Sequence, residues 1–185
     1  MEKFYTMQKF YTGVGSRSTP QHVLTLMGKI AHKMANLYYT LRTGDAKGAD
    51  NAFYNSAMEA VIFAGDWLNL TDNVILPDPI AYTARDCTPA AMEIAKRFHP
   101  AWHRCDAYAR KLHGRNAFQV LGPNLNDPSI GLICWTKDGC VSHSTRCFDT
   151  GGTGTAISIA EAYGVPITNL AIPDHFDKWD KWVHV

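Results

Sequence analysis

One local pattern recurs along the chain: a short apolar run, a turn containing glycine, then a stretch with helical periodicity. Residues 10–14 are aromatic and β-branched and break at Gly13-Val14-Gly15-Ser16, as a strand entering a tight turn does. Thr19-Pro20 opens a helix, with Ser18 or Thr19 as its cap and Pro20 in its first turn; Val23, Met27, Ile30 and Met34 then fall on one stripe. Residues 38–42 read as a second strand, and Thr43-Gly44-Asp45-Ala46-Lys47-Gly48-Ala49-Asp50 is the turn into an alanine-rich helix that runs to about Ala64. Residues 130–135 are a continuous apolar run, the pattern of a buried parallel strand. After a polar loop come Gly151-Gly152-Thr153-Gly154-Thr155, a helix with Ala156, Ile159, Ala160 and Tyr163 on one face, an end at Gly164, and a last strand over 165–171. Alternation of this kind predicts an α/β fold, a Rossmann-like doubly wound parallel sheet of about five strands with helices on both faces. Its ligands bind beyond the carboxyl ends of the strands.

Between the second and last units the pattern is looser. Val74 to Leu76 reads as a third strand stopped by Pro77 and Pro79, and residues 82–122 as predominantly helical. Thr88-Pro89 starts one of these helices, and Cys105, Tyr108, Ala109 and Leu112 form the stripe of another. In the tail, residues 173–185, Phe176, Trp179 and Trp182 make an aromatic face suited to capping the core or meeting a second subunit. At the other end Lys3-Phe4-Tyr5-Thr6 is repeated as Lys9-Phe10-Tyr11-Thr12 with Met7 between, so residues 1–8 read as an N-terminal extension or an extra edge strand. A length of 185 residues suits a single domain over 1–185.

The charge balance weakens the case for one class of partner, though it leaves room for a local basic pocket. Lys and Arg number 18 against 17 Asp and Glu, so the net charge of +1 gives little long-range attraction for duplex DNA. No apolar run of about 18 residues occurs, and the expectation is a cytoplasmic protein with no membrane partner. The five cysteines, Cys87, Cys105, Cys134, Cys140 and Cys147, include no CxxC spacing and read as reduced thiols.

Phosphate binding needs unobstructed main-chain amides, best at a helix N-terminus where the macrodipole favours negative charge. Three loops qualify: Gly13-Val14-Gly15-Ser16-Arg17, the segment from Gly44 through Lys47 to Gly48, and Gly151-Gly152-Thr153-Gly154-Thr155. Any one of them alone is more often a plain tight turn, but three after strands and before helices favour a shared ligand. The first is not a dinucleotide GxGxxG, because Arg17 and Ser18 stand where the third glycine would be, and no GxxxxGK[ST] loop is present.

These loops, together with Gly114-Arg115-Asn116, resemble the successive signatures of the SLOG superfamily, the Rossmann-like group of DNA-processing protein A and the Lonely-guy proteins. The match runs from Tyr11 to Ala171 and is similar to that of the small phage chains called DNA recombination-mediator protein A. The resemblance implies a small phosphorylated nucleotide or nucleotide-derived signal as ligand, no cofactor, and a homo-oligomer. It offers three functions: sequestering such a signal, as an anti-defence protein of a phage would; binding single-stranded DNA in recombination; and cleaving an N-glycosidic bond. For the last, the Lonely-guy group needs a glutamate just after the GGxGT loop, and here Ala156, Ile157 and Ser158 follow it, with Glu161 the first acid.

The expected ligand contacts are therefore Gly13, Gly15, Ser16, Arg17, Gly44, Asp45, Lys47, Arg115, Asn116, Gly151, Gly152, Thr153, Gly154 and Thr155, with Arg146 as a further cation. Asp45, Asp50 and Glu161 are weak catalytic candidates, since Asp50 suits a helix first turn and Asp45 a turn. Trp135, at the end of its strand, is the better of Trp102 and Trp135 for stacking on a base. No metal is expected: His99 and His103 have Pro100 between them, and Cys140, His143 and Cys147 match no common closed zinc spacing.

Overall fold

The structure, a computed structural model, describes residues 9–44, 46–57, 60–64, 80–83 and 88–185. In chain order the elements are β1 (Lys9–Gly13), α1 (Gln21–Asn36), β2 (Tyr39–Thr43), α2 (Ala49–Tyr54), β3 (Ala60–Ala64), β4 (Ile80–Thr83), α3 (Pro89–Phe98), α4 (Ala107–Leu121), β5 (Leu132–Cys134), α5 (Thr153–Ala162), β6 (Ile167–Asn169) and α6 (Pro173–His184). All strand pairs are parallel, in the order β4-β3-β2-β1-β5-β6. The chain winds outward from β1 to β4, then crosses back to β5 on the other side of β1. Strand order therefore reverses between β1 and β5, the place where a wound sheet opens a crevice at its carboxyl edge.

The α/β class and double winding stand as expected, with six strands among the described residues rather than about five. The difference lies in the middle of the chain. The helix expected to reach Ala64 stops at Tyr54, and Ala60–Ala64 is β3. Ala-Val-Ile-Phe-Ala is apolar at every position, a pattern that fits a buried strand as well as a helix, and its β-branched pair decides for the strand. Tyr82, expected in a helix, lies in β4. The strand expected at Val74 to Leu76 and the repeat in residues 1–8 lie outside the described residues.

Two apolar layers sandwich the sheet. One gathers α1, α2 and α6 around Tyr11, Val23, Met27, Ile30, Leu41 and Phe53; the other gathers α3, α4 and α5 around Phe118, Leu121, Leu132, Ile157 and Ile159. Neither Ser18 nor Thr19 caps α1. Pro20 occupies the cap position with no side-chain bond, and the Thr19 hydroxyl donates instead to the Ser16 carbonyl at 2.7 Å. A missing cap costs about 1 kcal/mol, whereas Val23, Leu26, Met27, Ile30 and Met34 are buried at about 1.5–3 kcal/mol each, so packing holds the helix. Helix α4 begins after Cys105, with the Asp106 carboxylate accepting the Ala109 amide at 2.7 Å. The aromatic face of α6 is used within the chain: Phe176, Trp179 and Trp182 pack on the α1 layer, and the Lys33 ammonium lies 4.7 Å from the Trp182 ring centre.

Buried polar side chains pin the loops at the carboxyl edge. Thr43 donates to the Gly13 carbonyl at 2.6 Å, tying β2 to the first glycine turn. Asn169 accepts the Thr136 amide and donates to the Thr136 hydroxyl and the Cys140 carbonyl, at 3.2, 2.7 and 2.8 Å, which fixes the chain leaving β5. Arg42 is 1% exposed, stacks 3.9 Å from the Phe10 ring centre and pairs with Asp127. Burial lowers its affinity for a proton and Asp127 offsets this only in part; held by Phe10 and Asp127, this cation is structural.

Candidate functional site

Glycine turns and one turn of α4 meet at the carboxyl edge. The first turn is stitched to β5: Val14 donates to the Ile133 carbonyl at 3.1 Å and Ser16 to that of Trp135 at 3.2 Å. That leaves the Gly15 and Arg17 amides without a partner among the described residues. Gly48, at φ +89°, brings the second turn against the first, where a methyl group would stand 2.7 Å from the Ser16 carbonyl. Only glycine meets both demands, the left-handed backbone and the close approach. Arg17 and Lys47 are exposed on this rim.

Helix α4 bridges the second turn and the last one. Consecutive helical residues diverge by about 100°, so Arg115 and Asn116 reach in different directions. The Arg115 guanidinium carbon lies 3.2 Å from where a Gly44 side chain would begin, beside the Asp50 carboxylate and the Gln119 amide. Asn116 donates to the Gly152 carbonyl at 3.4 Å. One helical turn earlier, His113 sits 3.1 Å from the Thr155 hydroxyl, in the first turn of α5.

The N-terminus of α5 is open. Gly151 and Gly152 are exposed, no side chain caps the helix, and the Gly152 and Thr153 amides have no partner among the described residues. Arg146, half-buried, lies under this turn: it donates to the Phe98 carbonyl at 2.6 Å and the Ser158 hydroxyl at 3.1 Å, and packs against Gly154. His113 is lowered to about 4, first by burial and then by His99, Arg146 and Arg115; His99 is lowered by burial and Arg146. The charges that act on His113 are all cationic. Together with two unpartnered amides they make a locus where a neutral imidazole is kept and an anion is favoured.

Asp45 lies outside the described residues. Asp50 is 4% exposed in α2, next to Gly44. Glu161 accepts the His143 amide at 2.6 Å and so holds the loop before α5. Trp135 is half-buried against the α1 layer, the commoner fate for such an aromatic. His103 is exposed on a single 3-10 turn, Trp102–Arg104, while Cys140, His143 and Cys147 each bond elsewhere: to the Ser142 carbonyl, the Ser158 hydroxyl and the Asp138 carboxylate. Asp138 is held below the usual carboxylate range, burial pushing upward but hydrogen bonds from Thr150, Thr136, Cys147 and the Cys140 amide prevailing. His113 was missed by motif reading. Its signal was its place one residue before Gly114-Arg115-Asn116, which puts it on the helical turn that faces the last glycine loop.

A large groove of about 1440 Å³ lies on the opposite layer, bounded by Leu24, Gly28, Asn55 and Val183. It is wide and unwalled, and although Gly48 of the second turn borders it, none of His113, Arg115, Asn116, Gly152 and Thr153 lines it, so it is not where the anion-favouring groups converge. No described helix is long and apolar enough to cross a membrane. No protein-family model, curated protein or solved structure matches the chain.

Proposed function

We propose that the chain binds a phosphorylated nucleotide or a nucleotide-derived signalling molecule, with its phosphate at the N-terminus of α5. The observation that carries this reading is the meeting of His113 and Asn116 on one turn of α4 with the unpartnered Gly152 and Thr153 amides, while Arg115 of the same turn faces Gly44 of the second glycine turn. Asp50 and Gln119, both buried beside Gly44, back the Arg115 guanidinium from the protein side. The likeness of the glycine loops to those of the SLOG superfamily supports the same ligand class.

Binding without turnover is the favoured mode. The position for an acid after Thr155 is filled by Ala156 and Ile157, both fully buried, and Glu161 is committed to the His143 amide. A binder of this kind sequesters its ligand, which fits the phage anti-defence role implied by the resemblance, in a cytoplasmic homo-oligomer. Single-stranded DNA is the second reading, favoured by exposed Arg17 and Lys47 on one rim.

Calorimetric titration with AMP, adenosine, inorganic phosphate, NAD and a short oligodeoxynucleotide separates these readings. AMP binding well above adenosine, with no base released on prolonged incubation, is the expected result. Release of base or ribose phosphate would replace sequestration by N-glycosidic cleavage, and steeply salt-dependent oligonucleotide binding with none to AMP would replace it by the DNA reading.

A further inference from the structure

We propose that His99, Cys105 and His113 form a three-donor site for a borderline divalent metal of the zinc class, its fourth position left to solvent or an anionic oxygen.

The fold gathers these residues from three places. His99 follows the last residue of α3, Cys105 follows the 3-10 turn Trp102–Arg104, and His113 stands in the middle of α4. The intervening turn folds the chain back, so the two imidazole centres lie 4.1 Å apart and the Cys105 sulfur 3.8 and 3.9 Å from the two nitrogens of His99. One donor atom from each residue lies within 4.8 Å of the other two, the one grouping of this kind among the described residues. Zinc bonds of about 2.3 Å to sulfur and 2.0–2.1 Å to nitrogen put neighbouring tetrahedral donors about 3.4–3.6 Å apart. The sulfur–nitrogen pair is already close to that, and the widest pair must close by about 1.2–1.4 Å, within reach of rotation by side chains that are only half-buried.

The surroundings set the kind of metal and its affinity. Two imidazoles and a thiolate select zinc, cobalt or copper over magnesium and calcium, which take oxygen ligands. The Thr155 hydroxyl engages His113 Nδ1, leaving Nε2 for the metal in the manner of an outer-shell partner. His99 resists: its Nδ1 accepts the Ala101 amide at 3.2 Å, so binding through Nε2 needs the other tautomer and breaks that contact. Arg146 and Arg115 also act on His113 and oppose a bare dication, with the Cys105 thiolate the one anionic donor. Both effects weaken the site relative to a closed structural zinc, and the same guanidinium groups favour an anion in the open position. Phosphate at the adjoining α5 N-terminus is such an anion, but the metal site does not depend on nucleotide binding.

The test is titration of the full chain, free of affinity tag and chelator and kept reduced, with cobalt(II) and no nucleotide. One equivalent should produce a sulfur-to-cobalt charge-transfer band and the intense visible bands of a four-coordinate ion, all lost on adding zinc. Cys105→Ser should abolish the charge-transfer band, and His99→Gln and His113→Gln should each weaken cobalt binding at least about tenfold. Cys147→Ser should change nothing. Circular dichroism of each metal-free variant shows whether its fold is kept, and two independent histidine variants guard against one that fails to fold. Absence of the bands in the parent chain, their survival in folded Cys105→Ser, or their loss in Cys147→Ser would overturn the proposal.

Discussion

The first and last glycine loops look alike in sequence and differ in what their glycines do. A methyl group on Gly13 would lie 2.7 Å from the Phe53 ring and 2.8 Å from Leu41, and one on Gly15 would lie 2.7 Å from Ala49 and 3.1 Å from the Trp135 carbonyl. Those glycines exist so that α2 and β5 can close on β1. Gly151 has nothing within 4 Å of such a group, and Gly152 only the His113 ring at 4.0 Å. Space is kept open at these two, beside unpartnered amides, while Gly154 of the same loop packs on Arg146. A glycine motif therefore marks either close packing or an approach left free for a ligand, and only the neighbours tell which.

The contrast can be broken by substitution. Gly13→Val should have the largest effect, lowering unfolding free energy by about 2–3 kcal/mol through overpacking against Phe53 and Leu41, read by denaturant unfolding. Arg115→Ala should cost about ten- to hundredfold in AMP affinity, the usual worth of a charged hydrogen bond, and should lower stability as well, because the guanidinium lies beside the buried Asp50 carboxylate. Gly152→Val should lower AMP affinity by about tenfold while moving stability by less than about 1 kcal/mol; a large loss of stability would mean that this loop, too, is a packing feature.

The smallest effect is on pH dependence. In the metal-free protein His113 titrates at about 4 when folded against 6.5 when unfolded, so between those values the unfolded chain binds more protons. The contribution to stability is whole above pH 6.5 and declines as pH falls toward 4, by about 1 kcal/mol after allowance for solvent. His113→Gln should flatten that part of the curve, measured by denaturant unfolding at several pH values.

Much of this was legible from residue order. The apolar stripe of α1, the Thr88-Pro89 start of α3 and the GGTGT turn into α5 each rest on local chemistry, and the structure places them where that chemistry points. The α2–β3 boundary was not legible, because Ala60–Ala64 is apolar at every position and gives no period to read. The role of α4 was hidden for another reason. Its hydrophobic stripe is interrupted by His113, Arg115 and Asn116, and that these face two separate loops depends on the crossover from β4 to β5. His99 and Cys105 likewise join His113 only once the 3-10 turn reverses the chain.

Backbone amide shifts during an AMP titration test the phosphate site most directly. Saturable shifts at Gly152 and Thr153, with adenosine leaving both unmoved, are expected if phosphate docks on α5. Unshifted Gly152 and Thr153 amides at saturating AMP, or shifts confined to the groove beside Leu24 and Asn55, would contradict it.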